Sequence, residues 1–160
     1  RASYLPPDPA LVEARQFAPY VLISRRDAGA RHLLNEDELE EALRPYGFRR
    51  YVLSQLSFAE KVTLFAGAKA VIAPAGAGSS NLAFCAPGTP VLELLPPGFV
   101  VPDFMELSYR LGLRYHWLIG ESDRPAATLA EARGQDMTVR PDALRACLTH
   151  LLGPPAGPLA

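Results

Sequence analysis

A glycine-rich stretch after an apolar run has the residue types that could bind an anion. Its residues are Gly76, Ala77, Gly78, Ser79, Ser80 and Asn81. Glycines let the backbone turn tightly and approach a ligand, and the first amides of a helix lack intrahelical partners. Phosphate oxygens suit those amides. Ser and Asn also cap ordinary helices, so the stretch alone is equally consistent with a turn that binds no ligand.

Two arginines could complete such a site. Arg25 and Arg26 follow the first apolar run, and a guanidinium matches the geometry of phosphate oxygens. Successive residues of a strand point to opposite faces, so at most one of the two need reach a ligand. The alternative is a surface salt bridge to Asp27 or Glu36. Arg31 is interpreted as a salt-bridge residue.

Glu93 stands inside the apolar run 90–95, where an unpaired carboxylate would be costly. It either accepts hydrogen bonds from ribose hydroxyls or pairs with a neighbouring arginine or with backbone amides, and both alternatives remain open. The three histidines share no spacing that would indicate a metal site or a catalytic dyad. They are His32, His116 and His150. No metal and no cofactor are expected.

Predicted strands and helices alternate along the chain and carry these residues. Short aliphatic or β-branched runs predict strands at 20–24, 50–53, 69–73, 90–95 and 114–119, with a weaker sixth at 136–140. Helices are predicted at 9–17, 35–44, 57–66, 79–84, 102–111 and 141–152. Asn35 with Glu38, and Ser57 with Glu60, have capping-box spacing. Tyr115 is interpreted as a packing residue of the fifth strand.

This alternation predicts an α/β fold with a doubly wound, mainly parallel, Rossmann-like sheet and helices on both faces. In such sheets ligands bind beyond the carboxyl ends of the strands, where the polar residues above should converge. The expected organisation is a linker and helix at 1–18, one domain at 19–152 and a flexible tail at 153–160.

Composition narrows the classes of function. The 160 residues fit one domain, and a net charge of −1 makes nucleic acid a poor candidate partner. Two cysteines without metal or disulfide spacing favour a reducing compartment. No apolar run approaches the roughly 20 residues that a transmembrane helix needs. We expect a cytoplasmic protein, at most peripheral to a membrane, and the abrupt start at Arg1 favours a piece of a longer chain.

Five segments, in the same order, resemble the carboxyl-terminal part of family 61 glycosyltransferases, a group known in bacteria from capsular polysaccharide biosynthesis. The segments are 23–28, 35–39, 56–60, 74–82 and 87–94, and the resemblance covers about 19–120. It implies one half of a GT-B architecture, in which two Rossmann-like domains face each other and the carboxyl-terminal one holds the nucleotide sugar. Family members are inverting and metal-independent. Ala75 stands where the family usually has histidine, and Ser79 and Ser80 replace leucine and threonine.

The resemblance therefore implies a donor-binding domain that moves a hexosyl or pentosyl group from a nucleoside diphosphate sugar to a saccharide acceptor. The acceptor-binding amino-terminal domain, which usually supplies the general base, is not in this chain, so no catalytic residue is assigned. Ala75 favours the alternative of a catalytically inactive binding or assembly module. A dinucleotide-binding oxidoreductase is a further alternative, because 76–81 approaches GxGxxG. Against it, Asn81 replaces the third glycine and two strand-helix units precede the motif.

Overall fold

Five parallel strands form the centre of the fold in the computed structural model, which describes residues 16–154. The strands are β1 (Tyr20–Ile23), β2 (Phe48–Tyr51), β3 (Ala70–Pro74), β4 (Pro90–Leu95) and β5 (Arg114–Ile119). Their order in the sheet is β2-β1-β3-β4-β5, and every neighbouring pair is parallel. This order is that of a doubly wound sheet, which confirms the predicted fold class.

Helices cover both faces of the sheet. They are α1 (Glu36–Leu43), α2 (Phe58–Ala66), α3 (Asp103–Leu111), α4 (Leu129–Gly134) and α5 (Pro141–Leu152). Three 3₁₀ helices cover Arg44–Tyr46, Leu53–Gln55 and Ala77–Phe84. Leu22 and Ile72 pack with apolar residues of α1 and α5, whereas Val21 and Val71 pack with those of α2 and α3. Each central strand is therefore buried on both sides, as the continuous apolar runs require.

The two predicted capping boxes have different outcomes. Ser57 forms its box: its amide donates to Glu60 Oε2 at 2.8 Å, and the Glu60 amide donates to Ser57 Oγ at 3.3 Å. The helix start predicted at Asn35 is confirmed, since Asn35 is the N-cap of α1, but the box does not form because the Asn35 side chain does not accept from the helix. Its Nδ2 donates to Glu38 Oε2 at 2.9 Å. Its Oδ1 accepts from Val139 N at 3.1 Å and its Nδ2 donates to Val139 O at 2.8 Å. Asn35 thus joins the start of α1 to the chain before α5.

Other elements also differ from expectation. The predicted sixth strand is reduced to two isolated bridges, Leu33 with Met137 and Glu121 with Thr138. The helix predicted at 79–84 is a 3₁₀ helix from residue 77, in which the Asn81 side chain bonds the backbone and competes with α-helical geometry. Helix α4 was not predicted.

The predictions at the two chain ends lie largely outside the described residues. Of the predicted helix 9–17, residues 9–15 are not described, and residues 16 and 17 are not helical. The segments 1–18 and 153–160 remain predictions as domain boundaries. Within the part of the chain that the structure describes, no helix is long and apolar enough to cross a membrane.

Candidate functional site

The strand order reverses between β1 and β3, and a pocket opens at that point. The chain leaves β1 towards α1 on one face of the sheet and leaves β3 towards the 3₁₀ helix on the other. Such a switch point forms a crevice at the carboxyl ends of the strands. The pocket here has a volume of about 290 Å³, and its lining includes Arg25, Arg31, Ala77 and Gly78.

Arg25 is held in a fixed position beside the glycine-rich stretch 76–81, which is called the glycine turn below. Its Nε donates to Arg31 O at 3.1 Å and its Nη2 donates to Ala30 O at 2.7 Å. A Cβ atom built on Gly76 would lie 1.7 Å from Arg25 Nη1, so only glycine admits the guanidinium there. Burial, and then the like charge of Arg31, lower the pKa of Arg25 from its ordinary value. Gly76 therefore permits the close approach of the Arg25 side chain.

Glu36 fixes the backbone from which Arg25 projects. The carboxylate is buried at the start of α1, accepting from the Arg25 amide at 2.7 Å through Oε1 and from Ser24 Oγ at 2.7 Å through Oε2. Arg26 lies on the other side of it, with Nε 3.4 Å from Glu36 Oε2 and Nη2 2.5 Å from Asp37 Oδ1. Of the two predicted arginines, Arg25 lines the pocket, and Arg26 forms the ion pair with Glu36 that was its alternative and a further one with Asp37.

Two backbone amides of the glycine turn come before the first hydrogen bond of the 3₁₀ helix. That bond runs from Ser79 N to Gly76 O at 2.9 Å. The amides of Ala77 and Gly78 precede it, and such amides lack intrahelical partners. Both residues line the pocket. The turn thus supplies the kind of donors that the sequence predicted at this place.

The three polar side chains of the turn have different environments. Ser79 is buried, and its Oγ has no hydrogen-bond partner among the described residues. Ser80 is exposed. Asn81 Nδ2 donates to Gly78 O at 2.9 Å, so this amide stabilises the turn from within. Ser80 is therefore the side chain with freedom to reach a ligand without rearrangement of the turn.

Glu93 is 1% exposed and has one close partner. The Tyr115 hydroxyl donates to Oε2 at 2.5 Å, whereas Oε1 has no partner among residues 16–154. Burial raises the pKa of Glu93; the Tyr115 hydrogen bond opposes this, Asp103 adds to it, and Arg31 weakly opposes it. Burial and the nearby Glu93 also raise the pKa of Tyr115. The carboxylate thus retains one unused acceptor inside the protein.

Sequence reasoning missed the role of Tyr115, which it assigned to packing. Glu93 is directly opposite Trp117 in the β4–β5 register, so Tyr115 is its diagonal neighbour on the same face of the sheet. A tyrosine near the register position of a buried acid is a usable signal once the strand pairing is known. The sequence alone does not give that pairing.

Arg31 also differs from its predicted role. It forms no ion pair among the described residues, so the interpretation as a salt-bridge residue is wrong. Instead its Cζ lies 5.7 Å from the centroid of the Phe99 ring. Its carbonyl accepts from Arg25, and Arg31 is one of the residues that line the same pocket. The β1–α1 loop therefore lines the pocket with two arginines and one acidic residue, Asp27.

His32 fastens that loop to the chain before α5. Its Nδ1 lies 3.0 Å from Asp136 Oδ1 and its Nε2 lies 2.8 Å from Ala28 O. These contacts make His32 an anchor of the loop. Within the described residues, no group of three or more His, Cys, Asp or Glu side chains is placed to hold a metal ion.

Comparison with known proteins connects this geometry to a family. The family model described as Glycosyltransferase 61 matches residues 3–92, more than half of the chain. The matched part contains the β1–α1 loop and the glycine turn, and it ends one residue before Glu93. No curated protein matches the chain.

Proposed function

The chain belongs to the glycosyltransferase 61 family, and we propose that it is the donor-binding domain of an inverting, metal-independent transferase. The donor is a nucleoside diphosphate sugar, and the acceptor is a saccharide. The observation that carries this proposal is one pocket at the switch point that is lined by two arginines, by Asp27 and by the first residues of the glycine turn. The arginines and the turn amides have the charge and the directionality that a diphosphate requires.

The chemistry needs stabilisation of the departing diphosphate. Negative charge develops on its oxygens as the bond to the sugar breaks, and donors already oriented towards those oxygens lower the barrier. Arg25 is suited to this because two carbonyls hold its guanidinium in place before any ligand arrives. The amides of Ala77 and Gly78, with the exposed hydroxyl of Ser80, would complete the group of donors.

The proposed part of Glu93 is to orient the nucleoside. Its Oε1 can accept a hydrogen bond from a ribose hydroxyl, while Oε2 remains bonded to Tyr115. A buried acceptor without a partner is unusual in a folded protein, and a ligand hydroxyl would satisfy it. The support for this role is the orphaned oxygen on the strand next to β3.

The remaining parts of the reaction belong to a facing domain. In a GT-B arrangement an amino-terminal domain binds the acceptor and supplies the general base, and closure of the two domains excludes water from the donor. Transfer of a hexosyl or pentosyl group in bacterial polysaccharide biosynthesis, including capsular polysaccharide, fits the family. We propose a cytoplasmic site of action, at most peripheral to the membrane.

Calorimetric titration with UDP, GDP, CDP, UMP and NAD tests the proposal. We expect one nucleoside diphosphate to bind the parent protein and to lose affinity in Arg25→Ala. Arg26→Ala removes the same charge from a side chain that pairs with Glu36 and Asp37, and it is the matched comparison. A loss confined to Arg25→Ala supports the pocket described here, and an equal loss in both variants would place Arg26 in the site as well. Binding of NAD alone would favour the oxidoreductase.

A catalytically inactive binding module is the second candidate, and Ala75 favours it. Ala75 is buried, and its amide donates to Leu94 O at 2.9 Å, so this position contributes no polar side chain to the site. Donor hydrolysis by the complete protein separates the two candidates. Slow release of the nucleoside diphosphate supports the transferase, whereas binding without turnover supports the module.

A further inference from the structure

Arg31 has a backbone conformation that is unusual for an arginine. Its φ is 57°, and it is the one non-glycine residue with a positive φ among residues 16–154. Most L side chains are strained in this left-handed region, and asparagine tolerates it better. Strain of this kind occurs preferentially at functional sites. A loop that only had to turn here would be more stable with another residue type.

Arg31 also shares a pocket with a second cation. Neither Arg31 nor Arg25 forms an ion pair within the described residues, whereas Arg26 and Arg50 each contact carboxylates of α1. The Arg31 Nε is buried and has no hydrogen-bond partner in that part of the chain. The effect of Arg31 on Arg25 is repulsive, since it disfavours the charged form of that group. Asp27 lines the same pocket and, with Glu36, favours the charged form of Arg25. The lining still has two arginines against one carboxylate, and this excess of positive charge favours an anion.

The Phe99 ring holds the Arg31 guanidinium in a way that leaves its donors usable. The Cζ atom lies 5.7 Å from the ring centroid, which is within the range of a cation–π contact. Such a contact uses the flat face of the guanidinium, whereas its N–H groups point outward in the plane. The ring therefore orients the group without consuming the N–H donors that a phosphate would need.

We propose that Arg31 is a second anion-binding residue, which together with Arg25 makes the pocket select two linked phosphoryl groups over one. This inference rests on the proposed function, in which the pocket receives the diphosphate of the donor. Each guanidinium matches the oxygens of one phosphoryl group, and the bridged pair of phosphates relieves the repulsion between the two arginines. A monophosphate can neutralise only part of that charge.

Replacing Arg31 should weaken anion binding without lowering the thermal stability of the unliganded protein. Arg31→Asn removes the charge and places a tolerated residue at the left-handed position. The unliganded variant should therefore unfold at the same or a higher temperature than the parent. If Arg31 served only to pack on Phe99, the same variant would unfold at a lower temperature.

The experiment compares inorganic pyrophosphate with inorganic phosphate as ligands for the whole chain at fixed ionic strength. Calorimetry gives the affinities, and thermal unfolding without ligand gives the stability. We expect Arg31→Asn to weaken pyrophosphate binding about tenfold or more, as the loss of charged hydrogen bonds would, and phosphate binding less than about threefold. Arg145→Gln, on the exposed surface of α5, controls for the loss of one positive charge and should change neither affinity.

Each other result contradicts a stated part of the proposal. If Arg31→Asn binds pyrophosphate within about twofold of the parent while Arg25→Ala abolishes that binding, the role of Arg31 is overturned and the proposed function stands. An equal loss for both anions would overturn the selection of two phosphoryl groups. A lower unfolding temperature would assign Arg31 to packing. If the parent binds neither pyrophosphate nor any nucleoside diphosphate, the proposed function fails too.

Discussion

Replacing Gly76 with alanine tests whether this glycine exists to admit the side chain of Arg25. The new Cβ would lie 1.7 Å from Arg25 Nη1 and 2.8 Å from its Cζ, whereas real Cβ contacts essentially never fall below 3.0 Å. The guanidinium must therefore retreat. In doing so it gives up its hydrogen bonds to Ala30 O and Arg31 O, at 2.7 Å and 3.1 Å.

The expected cost follows from those two bonds. A hydrogen bond from a charged donor contributes about 1.5–3 kcal/mol when buried, and partial exposure of Arg25 lets water replace some of this. We expect Gly76→Ala to lower the free energy of unfolding by roughly 1–3 kcal/mol. For a chain of this size each kcal/mol lowers the unfolding temperature by about 2–4 °C. Urea denaturation followed by circular dichroism measures the free energy directly.

Gly29→Ala is the control for this experiment, and Gly76→Ala combined with Arg25→Ala is the decisive variant. Gly29→Ala adds the same methyl group where nothing lies within 4 Å, so it should be neutral or slightly stabilising. In a background of Arg25→Ala, Gly76→Ala should cost less than about 0.5 kcal/mol, because the clashing group is gone. An undiminished cost in that background would refute the reasoning, since the alanine would then be clashing with something other than Arg25.

Three further predictions concern the elements around the site. Ser57→Ala removes the capping box of α2 and should lower the free energy of unfolding by about 1 kcal/mol in urea denaturation; no measurable change would contradict its role. Glu93 keeps its proton to a higher pH in the folded protein than in the unfolded chain, so its contribution to stability falls as pH rises from about 4.3 towards its raised pKa. Glu93→Gln should flatten that part of the stability profile, measured by urea unfolding between about pH 4 and 8, and an unchanged slope would exclude this assignment. Glu36→Ala leaves Ser24 Oγ and the Arg25 amide without their acceptor and should cost about 3 kcal/mol or more, whereas Asp37→Ala, on the exposed side of α1, should unfold close to the parent.

Several elements of the fold can be predicted from local signals in the sequence. The apolar runs place all five strands within a few residues of their bounds. The three central strands are buried on both faces, whereas the edge strands β2 and β5 are partly exposed. The capping box of Ser57 and Glu60 spans three residues and forms as predicted. The alternation of strands and helices fixes the doubly wound class, since parallel strands need crossovers. The glycine turn follows β3 at the place its residues indicated.

Contacts between side chains that are distant in the sequence depend on how the whole chain packs. Asn35 bonds the backbone of Val139, 104 positions away, although its local spacing predicts a capping box. Tyr115 becomes the partner of Glu93 through the register of β4 and β5, and Arg31 joins Arg25 in one pocket through a left-handed turn of the loop. The donor-binding roles of these residues remain predictions. Local patterns fix the backbone of each element, but strand order and register decide which distant groups come together, and these depend on the packing of the whole chain.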